Sequence, residues 1–534
     1  MKEKKFWIIR IVLVLILVFA EYYFLLPPLN LSSPAFWTFL LVVIATYYVT
    51  SLLQLLDFKS AIFNLKLPHQ KKNYYFPMVF IGVILLIIIV NVINSPIFSA
   101  SSYAKRITIN EKESFTEDVP PVDFNALPLL DKASSQKLGD RVMGQMPELV
   151  SQFLVSDLYT QINYNNEIVR VTPLEYASII KYFTNRKNGV KGYITVNSVT
   201  GEADLVKLEK GMRYMPSALF NEKLSRKLRF SYPTTIFGEA NFEIDNDGNP
   251  YWIVPTLKYS GVGLKKEVTG VVILDPITGS SKKYKVKDIP TWVDQVYPAN
   301  LIMEQTDDWG QYKNGFFNSM FGQKDVVLTT SGYNYTVMND DVYLYTGITS
   351  AAADQSILGF ILCNLRTKET NFYAVPGAEE TSAMASAQGQ VQQMKYESTF
   401  PLLINLNQKP TYLVSLKDQA GLVKMYGFID VTDYQKVVVT DASKGIEEAA
   451  KNYLGNSPTE VPDSELQGKT ITIASKETAM IDGTTYYYYT DTEGKRYRVS
   501  IKVSANQLPF ITVGSTISIQ YKIETEVTEI IKLG

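Results

Sequence analysis

Three long apolar stretches near the N-terminus constrain this chain more than any other feature. They run approximately from Phe6 to Leu26, from Ala35 to Leu56 and from Phe76 to Asn94. Crossing a bilayer takes about 20 apolar residues in a helix, and the third stretch has no charged residue between Val79 and Val90. Helices in soluble cores rarely have this composition. The sequence therefore predicts three transmembrane helices in an anchor of residues 1–95.

The basic residues around these stretches predict their orientation. Lysines precede the first stretch and recur between the second and third, whereas the loop 27–34 has no charge. Loops rich in lysine and arginine tend to stay in the cytoplasm. We therefore expect a cytoplasmic N-terminus and a multi-pass cell-membrane protein whose residues after about 95 are extracytoplasmic. The lysines are Lys2, Lys4, Lys5, Lys59, Lys66, Lys71 and Lys72, against the lone acidic residue Asp57 in the second loop.

The first stretch permits a second interpretation. A lysine-rich start, an apolar run and the small residue Ala20 resemble a signal peptide with its cleavage site. The apolar run continues to Leu26, which favours an uncleaved span, and cleavage would leave two spans with the body on the same side. Arg10 and Glu21 lie near the ends of the stretch, where we expect their side chains to snorkel to the interface.

Composition excludes several classes of function. The chain has 52 basic and 53 acidic residues and a formal net charge of -1, so no basic field indicates nucleic-acid binding. Cys363 is the only cysteine, which excludes an intrachain disulfide and fits a bacterial envelope protein, Gram-positive in our interpretation, better than a disulfide-stapled ectodomain. His69 is the only histidine, which excludes histidine-based triads and histidine-rich zinc sites.

A short pattern recurs in the region after residue 140. An apolar strand, then Asn or Asp, then a turn containing threonine occurs at 192–201, at 270–279 and, more loosely, at 359–368. We expect an α+β body of about four helix-plus-antiparallel-sheet units across 141–455, after a connector at 96–140. The predicted hairpins are 161–172, 242–254, 335–345 and 402–416, and the predicted helices are 147–160, 218–228, 292–321 and 379–394.

The order of these elements resembles that of PepSY-type domains. The shared order is a helix, then a strand-turn-strand, then a strand that ends in Asp-x-x-Thr-Gly. The second copy matches best, with Asp247-Gly248 and with Asp275 to Gly279. The whole chain also resembles uncharacterised membrane-anchored envelope proteins of Gram-positive bacteria. PepSY-like modules occur in envelope proteins and protease propeptides, and the resemblance implies a regulatory or inhibitory role.

The C-terminal region has a different pattern. A helix is predicted at 441–454 and a polar linker at 456–467, and five short strands follow in 468–534. Five strands in so few residues predict a small β-barrel, OB-like or SH3-like. Tyr486 and Tyr488 alternate with two further tyrosines in one strand, so one pair faces the core and the other forms a candidate aromatic surface.

Two acidic segments are candidates for a calcium site and for a pair of catalytic carboxylates. Residues 245–249 look like part of a calcium loop, but the twelfth position is Thr256 instead of the glutamate that such a loop needs, so a hairpin turn is favoured. Glu304, Asp307 and Asp308 stand beside Trp309. Paired carboxylates can hydrolyse glycosides, yet a solvated helix face is the favoured interpretation.

One small and polar segment stands out between β regions. Residues 379–390 could form a partner-binding helix or a flexible cover, and the sequence leaves both open. Ser382 and Ser386 have no histidine to activate them. The candidate partner-binding residues are Glu379, Glu380, Thr381, Ser382, Met384 and Gln388.

These observations predict a non-enzymatic, membrane-anchored envelope protein that binds a protein, peptide or wall-associated partner. It would act as a scaffold or regulator, for example of an envelope protease. The alternatives are an envelope glycan hydrolase with paired carboxylates and an accessory subunit of a larger membrane complex. No catalytic residue, cofactor or metal ligand is predicted, and Cys363 is expected to be a core residue.

Overall fold

The computed structural model describes residues 2–52, 75–112, 114–338, 341–351, 356–456, 466–481, 484–521 and 524–533. The lysines predicted to hold the second loop in the cytoplasm, His69 and most of the predicted linker lie outside these residues. The chain divides into two units. One comprises residues 1–424 and 429–436, and the other comprises 425–428 and 437–534.

The anchor begins with apolar helices. These are α1 (Lys2–Leu25), α2 (Pro34–Leu52), α3 (Tyr75–Asn94) and α4 (Pro96–Ala104). Two of them, over Trp7–Leu25 and Pro34–Ser51, are long and apolar enough to cross a membrane by themselves. The apolar part of α3 passes the same test only together with α4, from which a bend of 50° separates it. Two apolar N-terminal helices therefore fit a membrane-anchored protein.

Two charged residues within the apolar stretch of α1, Arg10 and Glu21, differ from the expectation that their side chains snorkel. Arg10 is buried, donates a hydrogen bond to the Tyr47 carbonyl (3.0 Å) and lies 4.4 Å from the centroid of the Tyr47 ring. Glu21 accepts a hydrogen bond from the Thr46 hydroxyl. Both side chains find partners on α2, because a polar group in an apolar helix is stabilised best by a neighbouring helix.

The rest of the first unit is rich in strands. Its helices are α5 (Phe115–Asp118), α6 (Lys132–Gly144), α7 (Pro147–Val150), α8 (Ile179–Asn185), α9 (Leu224–Ser231), α10 (Ala299–Tyr312) and α11 (Glu380–Gln390). Its strands are β1 (Ile109–Lys112), β2 (Phe153–Val155), β3 (Thr160–Tyr164), β4 (Glu167–Tyr176), β5 (Val190–Asn197), β6 (Ala203–Met212), β7 (Ile236–Phe237), β8 (Asn241–Ile244), β9 (Pro250–Ser260), β10 (Leu264–Leu274), β11 (Ser281–Lys285), β12 (Val327–Thr329), β13 (Asn334–Met338), β14 (Asp341–Ser350), β15 (Ser356–Ile357), β16 (Gly359–Asn364), β17 (Thr370–Tyr373), β18 (Gly377–Ala378), β19 (Glu397–Ser398), β20 (Leu402–Leu406) and β21 (Lys409–Lys417).

Three sheets of this unit share one strand order. In each, a long strand (β4, β9 or β14) pairs with two short strands on one side and with another strand on the other side, which in turn pairs with a further strand. These shared orders are β2-β4-β5-β6, β7-β9-β10-β11 and β12-β14-β16-β17, with β3, β8 and β13 as the second short strand. The third sheet continues with β1, which pairs in parallel with β17. A fourth sheet begins in the same way, since β19 and β20 both pair with β21.

The recurring Asn or Asp of the sequence pattern makes the same turn each time. The Oδ1 atoms of Asn197, Asp275 and Asn364 each accept hydrogen bonds from the backbone N–H groups two and three residues on. The following left-handed position has positive φ and holds Gly201, Gly279 or, in the looser third copy, Lys368. Short Asx side chains bond their own turn in this way.

The predicted helices are partly wrong in extent. The first one, 147–160, contains only α7, and the chain then enters β2 because Phe153 packs into the core of the first sheet. Helix α6 was not predicted from the sequence; its start is capped by Asp131, which accepts a hydrogen bond from the Ser134 N–H (2.9 Å). The third predicted helix, 292–321, is shortened to α10.

The first two sheets share one apolar core. Tyr193 of the first sheet and Phe242 and Trp252 of the second are fully buried in it, and the Trp252 indole N–H donates to the Tyr214 carbonyl (2.9 Å). Most of the buried side chains in this core are aliphatic or aromatic, so its stability comes from the removal of apolar surface from water. The shared core fixes the first sheet against the second.

The second unit contains the C-terminal sheet. Strand β22 (Val423–Asp430) contributes residues to both units, and β23 (Val437–Asp441), α12 (Ile446–Asn456) and six strands follow. The predicted small barrel of five strands is confirmed only in part, since the described strands form a six-stranded, curled half-barrel sheet in the order β28-β26-β25-β24-β27-β29. Those strands are β24 (Gln467–Ile481), β25 (Thr484–Asp491), β26 (Arg496–Ser500), β27 (Thr516–Tyr521), β28 (Val527–Glu529) and β29 (Lys532–Leu533).

Candidate functional site

The first unit contains a cavity of about 680 Å³ beside the end of α1. Leu26, which follows α1 directly, belongs to its wall, as do the start of α9 and the residues that connect β7 to β8. This volume is in the range of pockets that hold small ligands or peptide side chains. The other lining residues include Lys132, Leu158, Tyr159, Pro216, Lys223, Ser225, Leu228, Arg229, Phe237, Glu239, Ala240, Val254, Asn300, Tyr333 and Tyr335.

The cavity wall is mainly apolar and its charges are unbalanced. Lys132, Lys223 and Arg229 face a single carboxylate, that of Glu239. The ammonium groups of Lys132 and Lys223 form no ion pair among the described residues, and Lys132 is exposed whereas Lys223 is half-buried. An apolar wall with two available cations favours a ligand that is partly apolar and carries a negative charge.

Tyr159 contributes a buried polar atom to this region. Its hydroxyl has no hydrogen-bond partner among the described residues, and burial raises its pKa. The hydroxyl lies over Gly139, where an added Cβ would come within 2.1 Å of it. The close approach requires glycine at position 139 and fixes the ring of Tyr159 in the wall.

Two arginines of α9 bind the end of α1. Arg229 Nε donates to the Leu26 carbonyl (2.9 Å), and Nη1 donates to the carbonyl of Thr235 (2.6 Å). Arg226 Nε donates to the Tyr23 carbonyl (3.3 Å), and its guanidinium carbon lies 4.0 Å from the centroid of the Tyr23 ring. The last carbonyls of a helix have no partner within the helix and carry partial negative charge, so cations stabilise them. We call Arg226 and Arg229 the arginine clamp.

Burial distinguishes Arg229 from an ordinary surface arginine. Its residue is 6% exposed, and loss of hydration lowers the pKa of its guanidinium. No carboxylate pairs with it among the described residues; its partners are backbone carbonyls at the end of α1 and in the segment after α9. Arg229 therefore joins the end of α1 to the body through backbone carbonyls.

The tip of the β9–β10 hairpin makes a second connection to the anchor. Asn91 of α3 donates from Nδ2 to the Val262 carbonyl (3.1 Å), and the Val262 N–H donates to Asn91 Oδ1 (2.8 Å). Gly263 has a φ of +80° and donates to the Ser32 carbonyl (3.0 Å), and an added Cβ would lie 2.5 Å from the Pro34 ring. The polar side chain in α3 is thus satisfied by the body.

Of the predicted carboxylate cluster, two members bind one cation. Arg106 Nη1 contacts both Glu304 (2.8 Å) and Asp308, and its Nε lies 3.5 Å from Glu267. Asp307 instead accepts hydrogen bonds from the N–H and hydroxyl of Thr329. Burial raises the pKa of Asp308 to about 6, although Arg106 opposes the shift. Glu304 and Asp308 converge on an arginine and do not face each other across a cleft.

The carboxylates of Glu243 and Asp294 form a second pair, in which Glu243 is fully buried and Asp294 lines a polar cavity of about 310 Å³. Glu243 accepts hydrogen bonds from the N–H groups of Asp294 (2.9 Å) and Gln295 (3.1 Å), and Asp294 accepts one from the Asn163 N–H (2.7 Å). Burial raises the pKa of Glu243 to about 7. Burial, and then repulsion from Glu243, raises the pKa of Asp294. This pair joins the first sheet to the second in the interior, where substrate has no access to Glu243.

The predicted partner-binding segment is a packed helix, α11. Glu380 is buried and accepts a hydrogen bond from the Gly347 N–H (2.8 Å), and burial raises its pKa. Ala383 and Ala387 are fully buried. Thr381 is exposed, whereas Ser382, Met384 and Gln388 are half-buried. Glu379 precedes the helix as its N-cap residue.

The other predicted positions are placed as follows. Asp245 closes the β8–β9 turn by accepting hydrogen bonds from the N–H groups of Asp247 (3.0 Å) and Asn249 (2.8 Å), and no group of metal-ligating side chains occurs among the described residues. Cys363 is buried, and burial raises its thiol pKa to about 12. Tyr486 and Tyr488 lie on the outer face of β25, opposite the buried and stacked Tyr487 and Tyr489.

The arginine clamp and the cavity were not predicted from the sequence. The available signal was local: two arginines three residues apart on the short helix α9, on one face by helical periodicity, just before a proline. Their partners are 203 residues away in the chain. No pattern in the sequence connects the two segments.

The chain was also compared with known proteins. No family model matches it, and no curated protein sequence matches it.

Proposed function

We propose that this chain is a non-enzymatic, membrane-anchored envelope protein that binds a peptide segment of a partner in the cavity beside α1. The cavity carries the proposal, because it combines a mainly apolar wall, two lysines that form no ion pair among the described residues, and a position next to the membrane anchor. A partner bound there would be held close to the membrane surface. A scaffold or a regulator of an envelope protein requires such placement.

An extended peptide suits this cavity better than a rigid small molecule. Strand β7 is the last strand on its side of the second sheet, and the residues after it line the cavity. An edge strand can pair with an added extended segment, while neighbouring pockets take alternate side chains. The lysines Lys132 and Lys223 would then favour an acidic side chain or a free carboxyl terminus on the peptide.

We also propose three spans, with the N-terminus in the cytoplasm and the body outside. The lysines before the first apolar stretch and between the second and third support this orientation. Asn91 supports α3 as a span that ends at the body, because its amide is satisfied by the hairpin tip. The repeated strand order of the sheets supports tandem PepSY-like units.

The glycan hydrolase alternative has less support. A hydrolase needs two carboxylates on opposite sides of the scissile bond. Glu304 and Asp308 share one arginine instead, so they do not lie on opposite sides of a site for a scissile bond. The described residues that line the cavity include a single carboxylate, Glu239.

Site-specific photocrosslinking in the native membrane tests the binding function. A photoreactive amino acid at Ser225, which lines the cavity, is expected to give a discrete adduct with one partner. Ser231 is the matched control, since it is an exposed serine of the same helix outside the cavity wall. Filling the cavity with Ala240→Trp should abolish the adduct at Ser225. Equal adducts at Ser225 and Ser231, or none at Ser225, would contradict the proposal.

A further inference from the structure

A cluster of large apolar side chains is exposed on the first unit near α8. Ile180 is 71% exposed, Phe183 51% and Phe220 51%, and the rings of Phe183 and Phe220 lie 6.1 Å apart. Ile179 beside them is exposed as well. Phe220 has a positive φ of 50°, which is uncommon for a bulky residue. We call these four side chains the α8 patch.

The arginine clamp places the α8 patch at the end of α1. Arg226 donates from Nη1 to the Phe220 carbonyl (2.7 Å) and from Nε to the Tyr23 carbonyl (3.3 Å). One guanidinium thus bridges the patch and the last turns of a membrane helix. Phe230 is also exposed, and the centroid of its ring lies 5.7 Å from that of Tyr22 and 6.1 Å from that of Tyr23. Tyrosines at the end of a span mark the level of the lipid headgroups.

A second exposed apolar cluster follows α10. Phe317, Met320 and Phe321 form it, and Phe321 is 81% exposed. Helix α10 packs on α4, where the rings of Tyr312 and Tyr103 lie 5.8 Å apart. Helix α4 continues from α3 and itself exposes Phe98. We call Phe317, Met320 and Phe321 the α10 patch, which therefore lies near the end of another apolar helix of the anchor.

We propose that the α8 and α10 patches insert into the lipid surface of the membrane that holds the anchor, so that the body rests on the bilayer. Each patch is next to an end of the anchor that faces the body. Large apolar clusters exposed to water are unfavourable on a soluble surface, whereas aromatic and aliphatic side chains partition well into the boundary between headgroups and acyl chains. Lys181 and Lys187 beside the α8 patch can reach lipid phosphates. This inference is independent of the ligand of the cavity.

The β8–β9 turn provides an internal reference for distance from the membrane. The C-terminal end of β9 leads into the β9–β10 tip, which contacts the anchor at Val262. Strand β9 runs from Pro250 to Ser260, and a strand extends about 3.3 Å per residue, so its other end is roughly 35 Å from that contact. Asn246 is exposed in the β8–β9 turn. A probe there should remain in water.

Depth-dependent quenching of a fluorescent label tests the inference on the full chain, reconstituted at about one copy per lipid vesicle. Phe183→Cys, Phe321→Cys and the control Asn246→Cys each receive a thiol-reactive fluorophore. The buried Cys363 leaves the parent chain unlabelled, which controls for selectivity. A nitroxide attached to the lipid acyl chain near the headgroup is expected to quench the labels at 183 and 321 several-fold more than the label at 246. Aqueous iodide should show the opposite order.

Two outcomes would overturn the proposal. Equal quenching of the three labels by the lipid nitroxide would mean that the patches do not touch the bilayer. Protection of the labels at 183 and 321 from iodide without quenching by the lipid nitroxide would mean that protein, and not lipid, covers them. Each cysteine replaces an exposed side chain, and retained protease resistance of the body verifies folding.

Discussion

Replacing Arg229 with methionine removes the clamp residue that donates to the Leu26 carbonyl. Methionine keeps much of the length and apolar contact of the arginine stem but donates no hydrogen bonds. The Leu26 carbonyl then loses its donor at 2.9 Å and the Thr235 carbonyl loses its donor at 2.6 Å. The two contacts at 3.3 Å, to Tyr232 and Pro233, are lost as well. The end of α1 and the segment after α9 should therefore separate more easily.

The size of the effect follows from these bonds. A hydrogen bond to a charged donor contributes about 1.5–3 kcal/mol, so the two short ones contribute about 3–6 kcal/mol together. Part of this loss is offset because methionine requires no desolvation of a buried cation. We expect a net cost of about 2–4 kcal/mol for local opening, which corresponds to roughly a 30- to 700-fold change in the opening equilibrium.

Amide hydrogen exchange of the reconstituted protein measures that equilibrium. The informative segment is 29–33, where the Leu29 N–H donates to the Pro233 carbonyl (2.8 Å). Its exchange should accelerate by the stated factor, because local opening limits exchange of protected amides. Lys227→Met on the same helix is the matched control and should leave the segment unchanged. Acceleration below threefold in Arg229→Met, or an equal acceleration in Lys227→Met, would refute the reasoning.

Three further predictions concern the interior and the hairpin tip. Gly263→Ala should accelerate hydrogen exchange of amides 260–264 by a factor about tenfold larger than the factor by which the remote Gly315→Ala accelerates exchange around residue 315. Both glycines have positive φ, but only a Cβ at position 263 would crowd a proline ring. Asp294→Asn should raise the unfolding temperature by an amount that grows as the pH rises from about 4 to 8. Burial and the neighbouring buried glutamate raise the pKa of Asp294, so the folded parent chain retains a proton that the unfolded chain loses, and the stability of the parent chain falls over that interval. A difference between variant and parent that stays constant across the pH range would argue against this explanation. Arg106→Met should cost about 3–5 kcal/mol in urea unfolding, since it leaves three carboxylates without their common cation, while the exposed Lys105→Met should cost little; similar costs would contradict this explanation.

Local chemistry could be predicted from the sequence because it depends on neighbouring residues. The turns at Asn197, Asp275 and Asn364 use side chains that bond N–H groups two and three residues on, and their recurrence was visible as a repeat. The alternation of Tyr486 to Tyr489 across β25 follows from strand geometry alone. Two apolar helices were evident from hydropathy.

Contacts between distant segments could not be predicted in this way. Arg106 and Glu304 are 198 residues apart, and the acidic face of α10 looks solvated until the fold brings the arginine to it. Glu380 appears to be a polar helix residue, yet α11 turns it toward the Gly347 N–H. Arg10 was expected to snorkel because a single helix gives it no partner, whereas α2 provides one. In each case the missing information is which surfaces the chain brings together.

The contact between Asn91 and Val262 has a consequence for biogenesis. The two residues are 171 positions apart, and synthesis at about 5–20 residues per second separates their appearance by roughly 10–30 s. During that interval the third apolar helix carries an amide whose native acceptor and donor do not yet exist. In the proposed three-span topology, insertion of this helix therefore precedes the synthesis of the hairpin tip that satisfies its amide. A nascent chain arrested before residue 262 would expose that amide to the membrane insertion and quality-control machinery.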